Sequence, residues 1–174
     1  SINLKINRIL EVIPNIPSED TPDGVNEESN KEIKVFGNKP VFPFKPLSHD
    51  VIGYKLNMMD FDKAADMSGA RFVILKDKLA LLERALCSFM LNIHTQKHKY
   101  IEISPPSLVR DKALFGTGQL PKFSKDLFKT NSDHWLIPTA EVPLTNIVAD
   151  EIIPSLSLPI RYTALTTCFR SEAG

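Results

Sequence analysis

The stretch TALTTCFRSEAG, Thr163 to Gly174, decides how the rest of the chain is read. Tyr162, Thr163, Thr166, Thr167 and Phe169 are strand formers, so the composition predicts a β-strand. Alternate side chains of a strand share a face. That groups Thr166, Cys168, Arg170 and Glu172 on one side and turns Phe169 toward a core. Arg170 and Glu172 would then stand about 7 Å apart along the strand. A guanidinium fork suits a phosphate or a carboxylate, and a fixed carboxylate suits an amino group. Spacing alone favours the plainer alternative, an ion pair on a solvated strand.

Working outward, the bulk numbers exclude several classes. A chain of 174 residues is long enough for one domain with a proper core. Formal net charge is zero, so composition gives no support to a nucleic-acid-binding surface. Cys87 and Cys168 are the only cysteines, which is neither a disulfide framework nor a zinc pattern and fits a reducing, cytoplasmic compartment. The opening SINLKINRIL lacks the basic-then-apolar form of a signal peptide. No apolar run approaches the ~20 residues of a membrane helix.

In chain order, Ile2, Ile6, Ile9, Leu10 and Ile13 have helical spacing, and Pro14 ends that helix. Residues 14–30 hold three prolines and many polar residues, the composition of a linker. Lys31 to Phe36 alternates like a half-exposed strand, and residues 38–46 read as an extended connector. His49 has no partner nearby in sequence and reads as a surface or capping residue. Asp60 and Asp62 flank the start of a short helix over Phe61 to Met67, broken by Ser68-Gly69; two carboxylates without further oxygen ligands make a weak metal case, and helix-start acids explain them equally well. Ser68 to Phe72 then turns into a buried strand, Val73 to Leu75.

The strongest helix runs from Asp77, its cap, to about Lys97, with Leu79, Leu82, Leu86, Phe89, Met90 and Ile93 as one apolar stripe. His94 and His98 sit four apart, but no third ligand completes a set, so no resident metal is expected. Tyr100 to Ser104 reads as a strand ended by Pro105-Pro106. Phe115 to Phe123, FGTGQLPKF, lacks the Gly-Lys-Ser/Thr end of a phosphate-binding loop and is assigned no chemistry. His134 to Ile137 is a short strand, and Thr139 can cap a helix starting near Glu141 or Val142. A further helix is expected over Asn146 to Pro154.

Phe169-Arg170-Ser171-Glu172 resembles motif 2 of the class II aminoacyl-tRNA synthetases. CFRSEAG together with LIPTAEVPLTN, Leu136 to Asn146, is similar to the seryl-tRNA synthetases. GTGQLPKF and SGARF match that family too, and the helix, strand and Pro106 have the layout of class II motif 1. The family usually has glycine before the aromatic residue of that motif, where this chain has Lys99, so the turn must form without glycine's freedom.

The resemblance implies an α+β fold with an antiparallel sheet flanked by helices. It implies residues 1–13 as the end of a helical tRNA-binding arm, 14–30 as linker and 31–174 as the N-terminal part of the catalytic domain. The chain is then expected to be a fragment, inactive by itself, lacking most of the arm and everything after the start of motif 2. The implied activity is ATP-dependent activation of serine and its transfer to tRNA(Ser). Arg170 would serve catalysis. Arg170, Ser171 and Glu172 would bind ATP, and Thr139, Ala140, Glu141 and Arg170 would bind serine. Magnesium would accompany ATP, with its ligands outside this chain. A homodimer through residues 77–106 is implied. Two alternatives stay open: a ligase that loads an amino acid onto a carrier protein, and a non-catalytic dimerisation or binding fragment.

Overall fold

Apolar residues come in short runs, and the strands they form are correspondingly brief. The computed structural model describes residues 2–171. These divide into two compact units: Ile13–Ile74, and the residues up to Val12 together with Leu75 onward.

The unit Ile13–Ile74 is largely extended and exposed. Its proline-rich opening is irregular apart from one 3₁₀ turn, Glu27–Ser29, where the Asn26 side chain accepts from the Glu28 N–H at 3.2 Å. The strand expected over Lys31 to Phe36 does not form: Ile33 and Phe36 are exposed and no ladder partner adjoins them among the described residues. Alternation cannot hold a strand whose backbone groups have nothing to pair with. Helix α1, Ile2–Leu10, belongs to the other unit. Helix α2, His49–Lys55, packs on β1, Met59–Asp60, so closely that a Cβ at Gly53 would run into the Met59 side chain. His49 is the first residue of α2, with Ser48 at the cap position. Helix α3, Asp62–Ser68, ends at Gly69 with φ 92°, a backbone that glycine adopts without strain. Asp60 Oδ1 accepts from the Lys63 N–H at 3.1 Å, so it serves the helix start as expected. Strand β2, Ile74–Leu75, pairs with β1 and is half-buried instead of buried.

In the other unit, α1 carries its apolar residues exposed. Helix α4, Asp77–Asn92, continues as a wider π turn over Ile93–Lys97, where the His98 N–H donates to Ile93 O at 3.2 Å. Lys76, not Asp77, holds the cap position, with no side-chain cap; Asp77 stands in the first turn. Lys99 adopts φ 60°, the left-handed backbone anticipated at the missing glycine. It turns the chain into β3, Ile101–Glu102, which pairs in parallel with β6, Tyr162–Thr163. Strand β4, Leu108–Val109, pairs antiparallel with β5, Trp135–Leu136. The expected antiparallel pairing is thus present in β4·β5, while β3·β6 runs the other way.

Helix α5, Asp111–Gly116, and helix α6, Glu141–Asn146, close over β4 and β5. Val109, Leu114, Leu120, Leu127, Trp135, Ile137 and Val142 form one buried cluster. Polar bonds fix it at two points. Trp135 Nε1 donates to Asp111 Oδ1 at 2.5 Å, and Asn146 Nδ2 donates to Ala113 O at 3.0 Å and Val142 O at 2.8 Å. The helix expected to continue to Pro154 stops at Asn146; the chain turns over residues 147–150, and Asp150 has φ 62°.

Candidate active site

Among the described residues of Thr163 to Gly174, only Thr163 joins a ladder, with Tyr162 before it in β6. From Ala164 to Ser171 the chain lies outside any strand, yet two backbone bonds hold this segment in place. Phe169 N–H donates to Ile137 O at 2.8 Å, and Ser171 N–H donates to Asp126 O at 2.9 Å. Donors two residues apart pointing to one side are what an extended backbone produces. Phe169 is half-buried, as its expected core contact requires, and Arg170 is exposed. Glu172 lies outside the described residues.

Arg170 is oriented by a third bond. Its Nε donates to Pro138 O at 3.0 Å. Pro138 is buried at the end of β5, next to fully buried Ile137, so the acceptor is rigid. Thr139 and Ala140 follow, and α6 begins at Glu141. Thr139 Oγ1 accepts from the Glu141 N–H at 3.4 Å, a long version of the expected cap, while Ala140 holds the cap position itself.

These segments enclose a cleft of about 580 Å³ whose lining includes Thr139, Glu141, Arg170 and Ser171. Four of the residues singled out from sequence are therefore brought together across 32 positions of chain. Ala140 is not among them: with Glu141 it lines a more apolar hollow of about 610 Å³, alongside Leu144, Val148 and Leu158. The cleft also takes Gln119, Phe123, Asp126 and Leu127 from the loop after α5. No chemistry was expected of Phe115 to Phe123, which supplies Gln119 and Phe123. Its local pattern contains no ligand-binding motif; only its return across the Arg170 segment places it here.

One guanidinium, two carboxylates, an amide and two hydroxyls thus face a common space. The guanidinium suits a phosphate or carboxylate, and Glu141 or Asp126 suits an ammonium group. His94 and His98 lie elsewhere, with their Nδ1 atoms 3.4 Å apart. Among the described residues no set of three His, Cys, Asp or Glu side chains could hold a metal ion.

Residues 123–174 match the family model of the tRNA synthetase class II core domain (G, H, P, S and T). Along its whole length the chain is similar to serine–tRNA ligases. It is 58% identical over 174 residues to that of Paramagnetospirillum magneticum, covering 100% of this chain and 41% of the relative. It is 55% identical over 173 residues to that of Brucella suis, covering 99% and 40%. The crystal structure of seryl-tRNA synthetase from Pyrococcus horikoshii complexed with ATP superposes with TM-score 0.90 at 30% identity, over 98% of this chain and 42% of that one. Cytoplasmic serine–tRNA ligase from Naegleria fowleri in complex with AMP gives 0.86 at 26% identity, over 97% and 40%. The α+β fold is shared with these structures. The chain spans about 40% of the length of the curated relatives it matches.

Proposed function

We infer from this end-to-end similarity that the chain is part of a serine–tRNA ligase. The observation that carries the reading is the convergence of Thr139, Glu141, Arg170 and Ser171 on one cleft. In the reaction, a serine carboxylate oxygen attacks the α-phosphorus of ATP and pyrophosphate leaves. A terminal ribose hydroxyl of the tRNA then attacks the seryl carbonyl and AMP leaves. Arg170, held by Pro138 O, faces the α-phosphate and the attacking carboxylate. Its fixed donors stabilise charge as it shifts between those oxygens, without reorganising at the moment of reaction. Thr139 and Glu141 hold the substrate's ammonium end, and Ser171 borders the nucleotide. Glu172 is proposed for the adenine amino group on the resemblance alone. Ala140 is proposed as the small residue that shapes the serine loop.

ATP is supported by the ATP and AMP complexes of the structural relatives. Magnesium enters as the counter-ion of ATP. Among the described residues no set of three His, Cys, Asp or Glu side chains could hold it, and its ligands are proposed to lie outside this chain. A homodimer through residues 77–106 is supported by the apolar side of α4, where Leu82, Leu86, Phe89 and Met90 are each about half exposed. The division into tRNA arm, linker and catalytic part at residues 13 and 30 is likewise proposed. No described helix is long and apolar enough to cross a membrane, and a cytoplasmic location is proposed with the Naegleria relative in mind. Neither the carrier-protein ligase nor the non-catalytic fragment draws support from the comparisons.

The test is serine-dependent ATP–pyrophosphate exchange by the whole protein, with Glu141→Gln beside wild type. A charged hydrogen bond contributes about 1.5–3 kcal/mol, so serine should weaken roughly ten- to hundredfold with ATP little changed. Unchanged serine affinity with lowered stability would reduce Glu141 to a helix-start acid.

A further inference from the structure

Gln119 belongs to the loop that the motifs left without chemistry. Its backbone is fully engaged: the N–H donates to Leu114 O at 2.9 Å, and the C=O accepts from the Phe123 N–H at 2.9 Å. Gly118 before it takes φ 69°, and Leu120 after it is buried in the core. The residue is therefore anchored on both sides, and only its side chain has freedom. That side chain is half-buried and lines the cleft with Thr139, Glu141 and Arg170. Its amide makes no hydrogen bond to any other described residue and is not buried, so it is open to a ligand in the cleft.

We propose that the Gln119 amide contacts the small amino acid substrate at its neutral hydroxyl and helps to set specificity for it. The inference rests on the serine-activating reading of this cleft. The charged groups of such a substrate already have matched partners, Arg170 for carboxylate and Glu141 for ammonium. An amide offers one donor end and one acceptor end, and a hydroxyl offers both in a single group. A site that hydrogen-bonds a substrate hydroxyl discriminates against the analogue that lacks it, because its own polar group is then left unpaired.

The experiment measures exchange by the whole protein, varying serine and ATP separately, with Gln119→Leu and Gln119→Ala. Both variants should raise the KM for serine about tenfold and leave the KM for ATP within about twofold, with Tm near wild type. The preference for serine over alanine as substrate should shrink in parallel. Wild-type values in both variants would overturn the assignment, as would a rise confined to the KM for ATP. A lowered Tm with unchanged KM would make Gln119 a structural residue and overturn it too. Absence of serine-dependent exchange in the wild-type protein would overturn the ligase reading and this inference together; exchange unaffected by either variant would overturn this inference alone.

Discussion

Lys99→Gly should stabilise the protein. Lys99 holds φ 60° at the turn between the π turn after α4 and strand β3. A residue with a Cβ pays about 1–2 kcal/mol in that left-handed region. Glycine escapes the clash but gives up more conformational freedom on folding, roughly 0.5–1 kcal/mol. The difference leaves a net gain of about 0.5–1 kcal/mol. The turn itself should persist, because its bonds are backbone bonds: Tyr100 N–H to His94 O at 3.0 Å and His98 N–H to Ile93 O at 3.2 Å. For a chain of this size the gain corresponds to a rise in Tm of roughly 1–4 °C. Thermal unfolding of Lys99→Gly, Lys99→Ala and wild type separates the causes. Alanine keeps the Cβ, so it should stay within about 0.5 kcal/mol of wild type. A Lys99→Gly protein no more stable than wild type, or an alanine variant as stabilised as the glycine one, would refute the backbone argument.

Arg170→Lys in the whole protein keeps the charge but loses both the fork and the Nε bond to Pro138 O; exchange should fall about 10²-fold, and a wild-type rate would make Arg170 a structural residue. Leu114→Ala opens a cavity at a fully buried site and should cost about 2–5 kcal/mol in denaturant unfolding, unless the core collapses to fill it. Lys112 and Asp150 pair at 2.6 Å on the surface, which holds the Asp150 carboxyl below its ordinary 3.8 and Lys112 above its ordinary 10.5. The carboxylate's contribution is present above pH 3.8 and lost as acid protonates the folded form; the lysine's is present below pH 10.5 and lost as base deprotonates it. Asp150→Asn should therefore be slightly less stable than wild type at neutral pH and should converge with it in strong acid and strong base.

The motifs carried much of the site. Thr139, Glu141, Arg170 and Ser171 could be named because TAE and FRSE lie on short contiguous runs that resemble the seryl-tRNA synthetases and class II motif 2; residue chemistry alone favoured an ion pair at Arg170 and left Glu141 open as a helix-start acid. The long helix α4 was legible from its 3.6-residue stripe, and the turn at Lys99 from the glycine that the resembled family usually has there. Other expectations failed where pairing partners decide. Lys31 to Phe36 alternates like a strand and forms none, and the Thr163 to Gly174 strand shrinks to a two-residue ladder within the described residues. The stripe of α4 left its cover undecided: Leu82, Leu86, Phe89 and Met90 are about half exposed, since periodicity specifies a face but not what covers it.

What the sequence determined alone was local: helix spacing, turn chemistry, and which side chains could meet a charged ligand. Those properties depend on neighbours within a few residues. What tertiary structure decided was convergence. Asp126 O meets Ser171 N–H across 45 residues, Pro138 O meets Arg170 Nε across 32, and the loop carrying Gln119 thereby becomes a wall of the cleft. The acceptors Asp126 and Pro138 adjoin Leu127 and Ile137 of the buried cluster, so packing of distant segments positions them. Hydrophobic burial is non-directional and acts over the whole chain, so no short run of residues records where it will place a distant partner.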